Sequence, residues 1–174
     1  MKSLSLIEIL VVLGGIGFFL GGAYFAFNIL LKANQNLSQK ATAMYLAAEA
    51  VEIVRNIRDT NNLQNAPFDA NIPEGKDLIP VKNGETWELV NVSSDVSRKR
   101  VYFKEGEGFS QFNGSPPVGW KETEFSREIE IKKERKPVTN EVYLIKIKVT
   151  VKYGKFQKIY ASIEDDLYKW QWTG

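Results

Sequence analysis

The chain of 174 residues has no cysteine and no histidine. Without cysteine there are no disulfides, no thiolate metal ligands and no cysteine nucleophile. Without histidine the commonest general base and the commonest metal ligand are also gone. These two absences count against most hydrolases and metalloenzymes, and no phosphate-cradling glycine loop appears in their place. The expectation is a chain that is not an enzyme and carries no cofactor and no metal. Proline is missing before Pro67, so nothing in the first third has to break a helix. A dominant charge is missing too. The net charge of +2 gives no strong pull towards nucleic acid or anionic lipid.

What is present is distributed unevenly. Leu4 to Leu31 is a run of 28 residues with one charge, Glu8, and Lys32 closes it. As a helix the run would extend about 42 Å, more than the roughly 30 Å hydrocarbon core of a bilayer. A run of this length reads as a membrane span rather than a buried core helix. A secretory signal peptide is the rival reading. Gly21-Gly22-Ala23 offers small residues to a peptidase, and Lys2 supplies a minimal positive region. Against it, the run far exceeds the usual length of about 7–15 residues, and it carries a carboxylate near its start. Orientation is not set by charge, because Lys2 lies on one side and Lys32 and Lys40 on the other.

The segment Ser3-Leu4-Ser5-Leu6-Ile7-Glu8-Ile9-Leu10-Val11-Val12 closely resembles the cleavage and methylation signature of type IV pilins and type II secretion pseudopilins. In that family a short basic leader ends in a small residue, usually Gly. The mature chain then begins with an N-methylated hydrophobic residue, and a Glu follows four residues on. By this resemblance the cut falls between Ser3 and Leu4, and Leu4 is the methylated residue. The sequence departs from the pattern twice, with Ser for Gly and Leu for the frequent Phe. Ser is small enough to fit, so the resemblance implies slower processing rather than none.

The resemblance also gives Glu8 a role, which is to neutralise the free amine of a neighbouring subunit during filament assembly. A charge at the centre of a membrane helix costs about 2.5–3.5 kcal/mol on insertion scales, so such a residue is a functional hypothesis by default. Pairing in the polymer would recover what desolvation cost. The plainer alternative is a Glu that reaches water from a single-pass anchor. Gly14, Gly15, Gly17, Gly21 and Gly22 each disfavour helix by about 1 kcal/mol relative to Ala. They allow either close helix packing or the local melting that family members achieve with a proline, and both readings stay open.

Beyond Lys32, Leu37, Ala41, Met44, Ala48, Val51 and Val54 recur at spacings of three and four. This predicts that the helix continues to about Asp59 with that stripe on the core. Glu49, Glu52 and Arg55 would lie opposite, with Arg55 and Asp59 one turn apart. A helix from Leu4 to Asp59 would be about 84 Å long, half free and half packed on a domain, as in pilins. A coiled-coil stripe is the alternative, with under three heptads in its favour. Asn61 to Asn83, with Pro67, Pro73 and Pro80, reads as loop. Strands are expected over Thr86 to Val92, Arg100 to Lys104 and Phe125 to Lys132. The clearest is Tyr143 to Tyr153, with Ile145, Ile147, Val149 and Val151 on one face. Lys146, Lys148, Thr150 and Lys152 lie on the other, joined by Leu144. Gly154-Lys155 reads as a hairpin turn, with Phe156 to Ile163 returning, and Asn113 to Trp120 as a surface loop.

The expected fold class is α+β, pilin-like. A long N-terminal transmembrane and amphipathic helix packs on a C-terminal antiparallel sheet of four or five strands. The divisions are 1–3 cleaved leader, 4–31 transmembrane and polymerisation helix, 32–59 amphipathic continuation and 60–174 globular β domain. Phe125-Ser126-Arg127, the lysine-alternating strand and Leu167-Tyr168-Lys169-Trp170 resemble a minor-pilin-like subgroup. Three further features have a bland and a sharp reading. The lysine face could grip DNA, though alternating lysines are more often a solvated face. Glu164-Asp165-Asp166 could bind calcium but lacks the ligand alternation of a dedicated loop, so an exposed acidic turn is expected. Trp170 and Trp172 could form an adhesive tip, although packing on the helix is expected.

The resemblance implies a structural subunit, major or minor, of a type IV pilus-like filament or fimbrium, assembled through its N-terminal helix. The alternative is a pseudopilin of a type II protein-secretion or DNA-uptake system, and a third reading is a single-pass anchor that never polymerises. The implied partners are a prepilin peptidase, other pilin subunits, the inner-membrane assembly platform and the membrane itself, with nucleic acid not expected. The implied location is the bacterial inner membrane, single-pass with a cytoplasmic N-terminus, and then a periplasmic or extracellular filament.

Overall fold

Helix α1 spans Leu6–Leu63 in the computed structural model, which describes residues 5–93, 95 and 97–169. The expected cut between Ser3 and Leu4 lies outside the described residues, as do Trp170 and Trp172. At the start of α1 the Ser5 carbonyl accepts from the Glu8 and Ile9 amides at 2.9 and 3.3 Å. Ser5 and Glu8 thus stand at the two positions of a capping box, and Glu8 sits in the first turn, where a carboxylate favours the helix dipole. At the other end the Ala66 amide donates to the Asn61 carbonyl at 2.8 Å and the Asn65 amide to the Asn62 carbonyl at 3.2 Å. With Asn65 at φ 54°, this is a Schellman cap with Asn in the left-handed position. The helix therefore ends at Leu63 rather than near Asp59.

The chain divides into two units, Met1–Gln39 and Lys40–Gly174. In the second, α1 packs on an antiparallel sheet of seven strands. These are β1 (Gly75–Asn83), β2 (Thr86–Asn91), β3 (Arg100–Lys104), β4 (Gly108–Ser110), β5 (Lys121–Arg135), β6 (Val142–Tyr153) and β7 (Lys158–Tyr168). The central strand is β5. Its first half pairs with β3 and its second half with β1 on one edge, while β6 runs along the other edge and pairs in turn with β7. Alternation along β5 and β6 puts Ile129 opposite Val149 and Ile131 opposite Ile147, all buried. The helix meets that face with Ala43, Leu46, Ala47, Ala50, Val54 and Ile57, all buried and spaced by three and four.

In the sheet, the structure corrects three further expectations. The stretch read as loop up to Asn83 contains β1, including Pro80. Beyond Leu78 this strand leaves β5 and pairs only with β2, so one row of its backbone groups has no partner to lose and proline is tolerated. Among the described residues the sheet has seven strands rather than four or five, because β1 carries Pro80 and β4 is only three residues long. Glu164-Asp165-Asp166 is not a turn but lies within β7, where Glu164 pairs with Lys148 and Asp166 with Lys146.

Candidate functional site

In the first unit, the described part of the apolar run is helical from Leu6 onward and none of it is buried. Leu6, Phe18, Phe19 and Tyr24 are each more than 70% exposed. From Leu6 to Leu31 a helix is about 39 Å long, so α1 is long and apolar enough to cross a membrane. Asn28, polar within this run, donates its side-chain amide to the Tyr24 carbonyl at 2.9 Å, which meets part of its hydrogen-bonding need without water. Glu8 is the one charged residue between Ser5 and Leu31 and is exposed. Of the expected site residues, only Glu8 falls among those described. A Cβ added at any of the five glycines meets nothing within 4 Å, so no contact among the described residues requires glycine there.

The second half of α1 is rotated from the face its stripe predicts. Leu37, Ala41, Met44 and Ala48 are exposed, and the predicted and observed faces share only Val51 and Val54. Glu49, assigned to the solvent face, instead meets the sheet. Arg127, 1% exposed, donates from Nη1 to Glu49 Oε2 at 2.7 Å and to the Leu46 carbonyl at 2.9 Å. Its Nε donates to Gln111 Oε1 at 2.8 Å. Gln111 in turn donates to the carbonyls of Lys99 and Arg127 at 2.8 and 2.9 Å. Burial pulls the Arg127 guanidinium below its ordinary pKa, and the Glu49 carboxylate opposes that. A buried charge held this way is a positional lock between helix and sheet. Arg55 likewise turns from the expected Asp59 to Asp165 on β7 at 3.0 Å and to Glu52, while Asp59 pairs with Arg58.

The lysine face carries its own counter-charges. Lys146 meets Glu134 at 2.6 Å, Lys148 meets Glu164 at 2.8 Å and Lys152 meets Glu128 at 2.7 Å. Nearly buried Lys99 bridges Glu128 at 2.6 Å and Asp77 at 2.5 Å. Burial pushes the Glu128 carboxyl up, but the hydrogen bonds and charges of Lys152 and Lys99 outweigh it and hold the group below its ordinary value. Charge neutralised strand by strand leaves little field for a polyanion. Among the described residues no group of three or more His, Cys, Asp or Glu is placed to hold a metal ion. An open groove of about 740 Å³ lies between the end of α1 and the β1–β2 hairpin, with Asn56, Thr60, Gln64, Asn71 and Trp87 in its wall.

No family model, no curated protein and no solved structure matches this chain. The functional reading rests on the residues and the geometry above.

Proposed function

We propose that the chain is a pilin-type subunit, which a prepilin peptidase trims after Ser3 and which polymerises through the apolar half of α1. The observation that supports this reading best is a lone carboxylate, Glu8, at the head of an uncovered apolar helix. That helix runs on into one packed against an antiparallel sheet. Surface of this extent does not stay in water. Lipid covers it before assembly, and other copies of the same helix cover it afterwards. The first turn already favours a carboxylate at this position, and a polymer core that takes in each new free amine gives it a second use. The trimmed amine of Leu4 and the carboxylate of Glu8 in the adjacent subunit then neutralise each other.

The test is to co-express the chain with a prepilin peptidase and an assembly platform. Intact-mass spectrometry should show loss of Met1 to Ser3 and gain of one methyl group. Glu8→Ala should still be cut and inserted, since removing the charge makes insertion easier. Its yield of sheared, surface-exposed protein should fall more than tenfold, because leaving one side of a buried pair costs about 3–5 kcal/mol. Retention of Met1, or a cut after Ala23, would overturn the processing. Equal sheared yields from wild type and mutant would reduce Glu8 to a passenger in a plain anchor.

A further inference from the structure

Two ties fix how the helix runs along the sheet within the second unit. Arg127 on β5 reaches Leu46 and Glu49. Asp165, whose partner Ile147 faces Ile131 of β5, reaches Arg55. Moving down β5 from Ile131 to Lys121 therefore moves back along the helix towards Lys40. The β6–β7 turn lies at this same end, since the Gly154 amide donates to the Glu124 carbonyl at 3.0 Å. The loop after β4 also returns here, at Lys121 opposite Phe103.

This end exposes four apolar side chains. Phe156 at the turn is 98% exposed, Val118 in the loop 99%, Ile159 at the start of β7 60% and Tyr45 on the helix 62%. Around them Lys121, Lys155 and Lys158 are exposed, with no ion pair among the described residues. The carboxylates of the same end are partly committed, Glu107 to Lys104 and Glu122 to Arg100, while Glu105 and Glu124 add negative charge. Charge is thus close to balanced, and burial of apolar surface is the driving term. Aromatic side chains and lysines whose stems can lie along lipid are the composition of a membrane interface.

We propose that before assembly this end of the sheet unit docks on the bilayer surface, with Phe156 and Val118 inserted among the lipid headgroups. The inference rests on the membrane reading above. It commits to lipid because of the tether. Leu31, the last apolar residue of the span, and Lys40 are nine residues apart, a reach of at most about 32 Å however the chain is arranged. Lipid is therefore always present at high effective concentration beside the end nearest Lys40. Docking of this kind would hold the subunit at the membrane until the filament takes it up.

The absence of native cysteine allows a clean test in the full chain. Phe156→Cys, Val118→Cys, Val138→Cys and Ala23→Cys are made one at a time, and each is labelled with a nitroxide. The labelled proteins are reconstituted into vesicles of phosphatidylcholine and phosphatidylglycerol. Collisions with oxygen report lipid, and collisions with a water-soluble nickel complex report water. Val138, 94% exposed in the turn between β5 and β6, is the matched control at the far end. Labels at 23, 118 and 156 should report lipid, and the label at 138 water. Phe156→Ser should shift the docked-to-free ratio at position 118 by roughly tenfold or more. If 118 and 156 are as wet as 138 while 23 is in lipid, docking is overturned and the span survives. If 23 is wet, both fall.

Discussion

Two stretches of one helix solve opposite problems. From Leu6 to Leu31, α1 is apolar on nearly every side and buries none of it among the described residues. From Ala43 to Asn61 it is apolar on one side, and the sheet covers that side. A helix that is apolar all round needs cover all round, which a lone chain of this size does not offer. An amphipathic helix needs one partner face, and β5 and β6 supply it. The difference teaches that the second stretch is fixed by its own chain, while the first finds no cover among the described residues.

This comparison predicts that stability is set at Arg127 and not in the span. Arg127→Ala leaves Glu49 and Gln111 without their partner and should cost about 3–5 kcal/mol in denaturant unfolding of the detergent-solubilised chain. Phe18→Ala should leave that transition where it is. Comparable losses from both would mean that the two stretches fold as one cooperative body.

A sharper test separates the two faces of the second stretch. Leu46→Ala removes a fully buried side chain and should cost about 2–5 kcal/mol. Met44→Ala, two residues away and half exposed, should stay within about 0.5 kcal/mol. The reverse order would restore the face that the sequence stripe suggests.

The smallest expected effect concerns acid. Glu128 is held below its ordinary pKa by Lys152 and Lys99, so the folded state binds its proton less readily than the unfolded chain. The stability it contributes is present above about pH 4.5 and is lost as pH falls through the folded value. The stability gap between wild type and Glu128→Gln should therefore be steady near neutrality and narrow below about pH 4.5. Unfolding curves collected across that range would show it, and a gap that does not change with pH would remove the linkage.

How far the sequence reading reached follows from where each signal lies. Strand β3 and most of β6 were legible because their β-formers alternate within a dozen residues. The long apolar helix was legible because length and composition suffice for it. The rotation of α1 was not, because Leu37, Ala41, Met44 and Ala48 make as regular a stripe as Ala43, Leu46, Ala47 and Ala50. The face that packs is also tied by Arg127, some 80 residues away, whose carbonyl partner is Leu46. In β7, three consecutive acids read as a turn, since Arg55, which holds Asp165, is 110 residues distant. Pro80 hid β1 because nothing local says that the strand pairs on one side only. For the expected site, Glu8 was legible as an isolated charge, and its place opposite Ser5 in a capping box lay unread in the same motif.

The ties between α1 and the sheet also have a mechanical meaning. Within the second unit, a pull on α1 from its Lys40 end runs along the helix that packs on the sheet. There it meets Arg127 at Leu46 and Glu49, and one to two turns further on Asp165 at Arg55. A load along the axis drags all of these contacts sideways at once and cannot peel them in sequence. Shear shared among several ties yields at a higher force than the same ties opened one by one. A unit built this way keeps its sheet when its helix is tugged.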